Sequence, residues 1–95
     1  RHHPEVIAWG SGRTTRLRVA HLQAQGVEVL AWVDLDPRKV DREIHGVPVI
    51  SPDEIPKPGR CFVIPYVGTR HAREEICTWL ERQGHRLGKD FIPAA

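Results

Sequence analysis

The chain has 95 residues, of which 40% are hydrophobic and 27% charged, a composition typical of one small globular domain with a modest core. Fourteen lysines and arginines are nearly balanced by twelve acids, which does not favour a nucleic-acid partner. No apolar run approaches the roughly 20 residues of a membrane span, and because the first residue is not Met we expect residues 1–95 to be a single domain excised from a longer chain.

The first elements in chain order carry the strongest pattern. An apolar run, Glu5 to Trp9, is predicted to be a buried strand; it breaks into Gly10-Ser11-Gly12, and a helix is predicted over 13–25. A second apolar strand is predicted over 27–33 and ends at Asp34. Strand, glycine turn, helix, strand and acid follow one another as in a dinucleotide-binding βαβ unit.

The glycine turn, defined as Gly10-Ser11-Gly12, carries the expected chemistry. Gly10 suits a tight turn, and Gly12 lets the backbone approach a pyrophosphate beside Ser11 and Arg13. The helix N-terminus at the same point aims N–H groups at a phosphate. The third glycine of the fingerprint falls at Thr15, which either pushes the helix outward or points its hydroxyl at a ligand. The alternative is that the turn only closes the fold and binds nothing.

Arg13, Arg16 and Arg18 cluster at the start of this helix. One interpretation is an ordinary solvated helix face. The other is that Arg13 or Arg16 helps to hold an anion, since cations at a helix N-terminus oppose the macrodipole and a bound anion relieves that conflict.

Asp34 stands where an acid accepts hydrogen bonds from an adenosine ribose. Because such an acid repels a 2′-phosphate, NAD-like or other unphosphorylated riboses are favoured over NADP. The alternative is that Asp34, like Asp36, caps the following turn.

Asp34-Leu35-Asp36 is also a DxD sequence, a pattern that holds a divalent metal in many glycosyltransferases. Alternating residues of an extended chain point to opposite sides, so no metal site is predicted.

The elements after the second strand are shorter. Val47 to Ile50 is predicted to be a strand, and Ser51-Pro52-Asp53-Glu54 is a capping box that predicts a single helical turn. A fourth strand is predicted over 61–67, with Pro65 near its C-terminal end because proline removes a ladder donor.

A second long helix is predicted after Thr69, its expected N-cap, and Phe91-Ile92 is predicted to be a last short strand. Right-handed crossovers then give a five-stranded, mainly parallel sheet of order 3-2-1-4-5 with two main helices and shortened crossovers. The predicted fold class is α/β, a small three-layer Rossmann-like domain. The expected core faces are Leu17, Ala20, His21 and Ala24 in the first helix, and Ala72, Ile76, Trp79, Leu80 and Gln83 in the second.

The loop after the fourth strand is a second candidate anion site. Strand order reverses between the first and fourth strands, so Gly68 and Thr69 face the glycine turn across the crevice. Thr69 and Arg70 are the candidate ligands there, and ordinary helix capping is the alternative.

Cys61 and Cys77 are interpreted as buried free thiols rather than as a disulfide or a metal pair, which fits a cytoplasmic protein. No catalytic triad, Walker lysine or pair of catalytic carboxylates is recognisable, so no catalytic residue is predicted. The oligomeric state is left open.

Three stretches form a recurring series: Trp9-Gly10-Ser11-Gly12, Val33-Asp34-Leu35-Asp36-Pro37-Arg38-Lys39 and His45-Gly46-Val47-Pro48-Val49. The series resembles small Rossmann-like domains that accompany bacterial sugar-modifying enzymes. It is most similar to a C-terminal domain appended to certain bacterial glycosyltransferases, which carries stretches like Val67-Gly68-Thr69-Arg70 and Gly88-Lys89-Asp90-Phe91. Related patterns occur in N-terminal domains of sugar acyltransferases and in NADH-sensing repressors. The resemblance covers nearly the whole chain.

The resemblance implies that transfer chemistry lies in a catalytic domain of the same parent chain. The nucleotide-facing positions it implies are Gly10, Ser11, Gly12, Asp34 and Gly68. Thr15 departs from the Gly or Ala of the stricter dinucleotide fingerprint. The expected function is an accessory domain that binds a nucleotide or sugar nucleotide, with the cofactor, NAD or a nucleotide sugar, left open.

Two alternatives remain. One is an NAD(H)-binding domain of an oxidoreductase or redox sensor, and the other is a structural or oligomerising module with an empty crevice. The tryptophans separate these hypotheses: Trp9 or Trp32 filling the crevice excludes a ligand, whereas packing under the helices leaves it open.

Overall fold

The computed structural model describes residues 5–94; Arg1–Pro4 and Ala95, included in the single-domain prediction, lie outside the described residues. One helix follows the first strand, three strands and a 3-10 turn come next, and the last strand is followed by the second helix. In chain order they are β1 (Glu5–Trp9), α1 (Arg13–Ala24), β2 (Glu28–Val33), β3 (Glu43–Ile44), β4 (Val47–Ile50), the 3-10 turn (Pro52–Glu54), β5 (Phe62–Pro65) and α2 (Arg70–Arg82).

The sheet has the order β3-β4-β2-β1-β5. β2 and β5 flank β1 in parallel, and β4 runs parallel to β2. The strand order reverses at β1, because the chain first builds outward through β2 and β4 and then returns to place β5 on the other side. The predicted α/β class and the predicted order of these four parallel strands are therefore confirmed.

The predicted last strand at Phe91-Ile92 lies beside β5 as expected, but it forms only isolated bridges. The Val63 N–H donates to the carbonyl of Asp90 at 2.9 Å, and the Ile92 N–H donates to the carbonyl of Val63 at 3.2 Å. The next donor in this ladder falls at Pro65, which has no N–H. The ladder is interrupted there, so the predicted strand is wrong as a continuous element.

The hairpin of β3 and β4 was missed. These strands pair antiparallel, and the two residues that connect them, His45 and Gly46, have φ angles of 54° and 76°. Positive φ at both loop positions is the geometry of a two-residue type I′ turn. The indole N–H of Trp32 donates to the carbonyl of Ile44 at 3.2 Å, which anchors the hairpin to β2.

Each face of the sheet has its own core because the strands are covered on both sides. The α2 face buries Ile7, Trp9, Ala31, Val33, Val63, Leu80 and Phe91. The α1 face buries Val6, Ala8, Val19, Val29, Trp32 and Val49. Trp9 meets Trp79 of α2 edge to face, with ring centroids 5.5 Å apart, so both tryptophans of the strands pack under the elements that cover the sheet.

The predicted core face of α1 is wrong. The helix buries Thr15 and Val19, whereas Leu17 is 60% exposed. Thr15 packs against Gly10 of the glycine turn, and this contact sets the rotation of the helix, so Val19, four residues later on the same side, meets the sheet. For α2 the prediction is confirmed at Leu80, which is fully buried, and at Ile76 and Trp79, which pack against the same core. It is wrong at Gln83, which is exposed at the end of the helix.

Three local predictions are confirmed. The Thr69 hydroxyl accepts a hydrogen bond from the Ala72 N–H at 3.3 Å, as an N-cap of α2 should. The Ser51 N–H donates to the Glu54 carboxylate at 3.0 Å in the capping box of the 3-10 turn. Pro65 is the last residue of β5. Each of the two capping hydrogen bonds provides a partner for a main-chain N–H that has none within its own element.

We expect His85 to make the stability of the fold dependent on pH. His85 is buried, and burial lowers its pKa below the ordinary value of 6.5, although the nearby Asp90 charge acts in the opposite direction. The folded state therefore takes up a proton less readily than the unfolded chain, and stability falls as pH decreases below about 6.5.

We expect the wild-type melting temperature to fall between pH 7.5 and 5.5, and the His85→Gln variant to lose part of that decrease. Thermal unfolding followed by circular dichroism at three pH values measures it, with His71→Gln, an exposed histidine of α2, as the matched control. Identical pH profiles for His85→Gln and the wild type would rule out this role.

Candidate functional site

The glycine turn lies where the ends of β1, β2 and β5 meet. Gly10 has a φ of +124°, and a Cβ there would come within 2.9 Å of the Thr15 hydroxyl oxygen and 3.3 Å of the Tyr66 carbonyl oxygen. The Gly10 N–H donates to the carbonyl of Val33 at 2.7 Å. Only glycine fits this conformation and spacing, so the predicted tight turn at Gly10 is confirmed in its geometry.

The start of α1 is open. Its N-cap is Gly12, no side chain of the described residues caps it, and its first turn contains no acid. A Cβ on Gly12 would meet no atom within 4 Å. The first N–H groups of the helix have no acceptor within it, so this end presents unpaired donors and the positive end of the helix dipole to open space. An anion is the complement of such a surface.

Asp34 braces the glycine turn against the end of β2. One of its carboxylate oxygens accepts a hydrogen bond from the Ser11 hydroxyl and lies 3.7 Å from the Lys39 ammonium. The other accepts from the Asp36 N–H at 2.9 Å. The structure thus brings Ser11 and Asp34 together, and much of the accepting capacity that a ribose hydroxyl would use is already engaged within the chain.

The Asp36 carboxylate pairs with Arg38 and not with the glycine turn. Its carboxylate lies 3.2 Å from the Arg38 guanidinium and accepts from the Arg38 N–H at 3.0 Å; the hydrogen bonds from Arg38 hold its pKa below the ordinary value. Asp34 and Asp36 therefore do not converge on one point as a DxD metal site requires. Within residues 5–94, no group of three or more His, Cys, Asp or Glu side chains has the geometry of a metal site.

A cavity of about 390 Å³ opens beside the glycine turn, and we call it the basic cavity. Its walls come from the start of α1 and from the segment between β2 and β3. Ser11, Gly12 and Ile44 line it together with four cationic residues and one acid: Arg13, Arg16, Lys39, Arg42 and Glu43. Arg13 and Arg16 also line a neighbouring cavity of about 580 Å³ that extends along α1 to Trp32 and His45.

A second space, the crevice, lies on the other side of the glycine turn. It has a volume of about 290 Å³ and is lined by Thr14, Thr15, Arg18, Tyr66, Val67 and Gly68. Gly68 is thus placed across from the start of α1, as the topology predicts. Neither Trp9 nor Trp32 lines the crevice.

Thr69, unlike Gly68, does not contribute to the crevice. Its side-chain oxygen accepts the Ala72 N–H as the cap of α2, and Thr69 does not line the crevice. The capping interpretation of Thr69 therefore accounts for its hydroxyl.

Sequence reasoning missed Lys39 and Arg42. They are separated from the glycine turn by more than 25 positions of sequence, and they reach it because β2 ends beside the turn. The available signal was the topology itself, because residues that follow the second strand of a βαβ unit lie next to the phosphate-binding turn. Tyr66 was missed as well, and burial raises the pKa of its phenol.

A parallel sheet whose strand order reverses at a glycine turn and an open helix N-terminus defines a Rossmann-like domain. Solved structures agree with this class. UDP-D-quinovosamine 4-dehydrogenase from Vibrio fischeri matches with a TM-score of 0.74 at 16% identity, over 99% of this chain and 80% of that chain. RSP, solved in complex with β-NAD⁺ and operator DNA, matches with a TM-score of 0.67 at 16% identity, over 97% of this chain and 50% of that one.

At this identity the two structures establish a shared fold. No protein-family model and no curated protein matches the sequence. Among the described residues, no helix has the length and apolar character needed to cross a membrane.

Proposed function

We propose that this chain is an accessory nucleotide-binding domain that takes the diphosphate of a nucleotide or sugar nucleotide at the glycine turn. The observation that carries the proposal is the uncapped start of α1 at Gly12, which faces the basic cavity. An uncapped helix N-terminus and a cavity lined by four cationic residues and one acid favour the same ligand, because the helix end and the excess of cations both stabilise negative charge.

Each site residue has a proposed role. Gly10 permits the turn, Gly12 and Arg13 supply backbone N–H groups to a phosphate, and Ser11 fixes the turn through Asp34. Gly68 leaves room on the far side of the crevice, and the open crevice, which neither tryptophan fills, supports ligand binding over an empty scaffold. Thr69 contributes as the cap of α2.

The parent protein is proposed to be a bacterial glycosyltransferase whose transfer chemistry lies in a separate catalytic domain of the same chain. Support for this parent comes from the sequence resemblance, which covers nearly the whole chain. Cys61 and Cys77 are free thiols, which suits a reducing cytoplasmic compartment.

A second candidate is an NAD(H)-binding domain of an oxidoreductase or redox sensor. The position of Asp34 favours it, because an acid at the end of the second strand accepts ribose hydroxyls in NAD-binding domains; a ribose here would compete with the Ser11 hydroxyl and the Asp36 N–H for that carboxylate. The RSP structure, which contains β-NAD⁺, is in accord with this candidate.

A ligand panel separates the candidates. Thermal shift and tryptophan fluorescence are measured while UDP-glucose, NAD⁺, NADH and coenzyme A are added in separate titrations. Saturable stabilisation by a UDP-sugar supports the first candidate, and stabilisation by NAD⁺ or NADH alone supports the second. If none of the four compounds changes the melting temperature or the fluorescence at millimolar concentration, nucleotide binding is contradicted and a ligand-free structural module is favoured.

The variant Gly12→Asp tests the site within that panel. Gly12 has a φ of −72° and free space around its Cβ, so aspartate fits and its carboxylate caps α1, which keeps the apo domain at least as stable as the wild type. The same carboxylate repels a phosphate, and we expect binding to weaken about tenfold or more, equivalent to at least about 1.4 kcal/mol.

Gly12→Asn is the matched control, because it caps the helix equally well without the charge. It should retain more of the affinity than Gly12→Asp does. Equal binding by the wild type and Gly12→Asp would place the ligand away from the glycine turn.

A further inference from the structure

Another cavity lies on the α2 face of the domain, between residues 52–58 and the second half of α2, and we call it the proline cavity. Its volume is about 360 Å³, within the range of about 300–1,000 Å³ that small-molecule sites have. None of the residues that line it lines the basic cavity or the crevice. It is therefore separate from the glycine turn.

Prolines and a tryptophan supply the apolar surface of this cavity. Pro52, Pro56 and Pro58 line one side, and their rings fix φ, so this wall is stiff although most of it is not in a helix or strand. Ile55 packs against the core of the α2 face and attaches the segment to the domain. Trp79 of α2 also lines the cavity. Because the wall is stiff in advance, a ligand pays little to order it.

His85 gives the proline cavity a buried polar group. The residue is only 4% exposed and lines the cavity, and its Nδ1 atom has no hydrogen-bond partner within the described chain. Buried polar atoms without partners are rare in folded proteins, and each calls for a bound water or ligand. Burial lowers the pKa of His85, so at neutral pH the ring is neutral and has one donor and one acceptor nitrogen.

Three exposed polar side chains complete the lining: Asp53, Lys57 and Gln83. The hydrogen bond from the Ser51 hydroxyl lowers the pKa of Asp53, so this carboxylate is an acceptor at neutral pH. No ion pair involves Lys57 within residues 5–94, so its ammonium is a donor. The Gln83 amide can both donate and accept. Since the charges of Asp53 and Lys57 are opposite, the cavity has no net preference for an anion or a cation.

These residues favour a neutral ligand that has an apolar face and several hydroxyl groups. A purely apolar ligand would leave the buried nitrogen of His85 without a partner, which costs free energy. A pyranose ring meets both requirements. Its C–H face can pack on an aromatic ring such as that of Trp79, and each of its hydroxyls can donate and accept at once.

We propose that the proline cavity binds a neutral saccharide, with one pyranose ring packed against Trp79 and its hydroxyl groups hydrogen-bonded to His85 and Gln83. The proposal goes beyond the nucleotide site, because the saccharide binds on the α2 face as a free carbohydrate and not as part of a nucleotide at the glycine turn.

An NMR titration of the ¹⁵N-labelled full chain without nucleotide tests the proposal. The probes are methyl β-D-glucopyranoside and methyl N-acetyl-β-D-glucosaminide, with cyclohexanol as an apolar ring and sulfate as an anion. We expect saturable shifts of the Trp79 indole N–H with at least one glycoside, half-complete on the order of 1 mM. Cyclohexanol and sulfate should bind at least about tenfold more weakly. The Trp79→Phe spectrum assigns the indole resonance.

Gln83→Ala should weaken glycoside binding by about two- to tenfold, because it removes one hydrogen-bonding side chain. Gln83 is exposed, so the fold should remain intact. Gln23→Ala is the matched control, because Gln23 is an exposed glutamine of α1 that lines a different cavity; it should bind as the wild type does. His85→Gln should weaken binding as well, and its melting curve shows whether that variant is folded.

The outcomes keep this inference apart from the proposed function. Amides of residues 79–85 and a Trp79 indole that stay unchanged with either glycoside at about 50 mM overturn the inference, and nucleotide binding is unaffected by that result. Binding that Gln83→Ala does not weaken overturns it too, because the saccharide then lies elsewhere. Equal affinity for cyclohexanol or sulfate shows that the ligand class is wrong.

Discussion

Replacing Phe91 with alanine is expected to destabilise the domain strongly. Phe91 is fully buried in the core on the α2 face, and Phe→Ala changes in such sites cost about 3–5 kcal/mol. A domain of this size has a total stability on the order of 5–14 kcal/mol. The melting temperature should therefore fall by roughly 15 °C or more.

The neighbouring residue provides the control. Ile92 is 50% exposed, so Ile92→Ala should cost less than about 1 kcal/mol. Urea denaturation of both variants measures the difference in the free energy of unfolding. Similar losses for the two would show that the segment around Phe91 does not complete the core as described.

The second large effect is expected at Gly10. Gly10→Ala places a Cβ 2.9 Å from the Thr15 hydroxyl oxygen and 3.3 Å from the Tyr66 carbonyl oxygen, at a φ of +124°. Positive φ alone costs a non-glycine residue about 1–3 kcal/mol, and the contacts add to it. We expect a loss of about 2 kcal/mol or more in the free energy of unfolding.

Gly12→Ala is the matched control two residues away. Its φ is −72° and its Cβ would meet no atom within 4 Å, so the change in stability should stay below about 1 kcal/mol. Adding Thr15→Ala to Gly10→Ala should recover only part of the loss, because the φ angle and the Tyr66 carbonyl contact remain. Equal stability of Gly10→Ala and Gly12→Ala would contradict the geometry of the turn.

The sequence predicted the parts of the fold that depend on local pattern. The apolar runs before Gly10 and Asp34 are continuous, as strands covered on both faces should be, and the handedness of crossovers then dictates the order of the parallel strands. Caps such as Thr69 are equally local, because an N-cap needs only the hydroxyl and the main chain that follows it.

The side of α1 that faces the sheet could not be predicted from local sequence pattern. Its sequence places apolar residues such as Leu17 at helical spacing, but the contact between Thr15 and Gly10 decides which side faces the sheet. The hairpin was missed for a different reason: His45 and Gly46 carry the signal for a two-residue loop, but β3 has only two residues, too few to form a pattern.

In the candidate site, too, some features were predictable from local sequence and others depend on the tertiary structure. The glycine turn and Asp34 were predicted from spacing, but the basic cavity depends on Lys39 and Arg42, which approach the turn only through the sheet topology. The hydrogen bond from Ser11 to Asp34 also joins residues far apart in sequence. No local pattern could indicate that the acid is engaged by the turn itself.

The most direct measurement of the central proposal is a titration of the ¹⁵N-labelled domain with the nucleotides of the ligand panel, followed by backbone amide chemical shifts. We expect saturable shifts concentrated at the Gly12, Arg13 and Thr14 amides at the start of α1, with smaller changes along α2. Spectra that stay unchanged at millimolar nucleotide, or shifts confined to residues away from the glycine turn, would contradict the proposal.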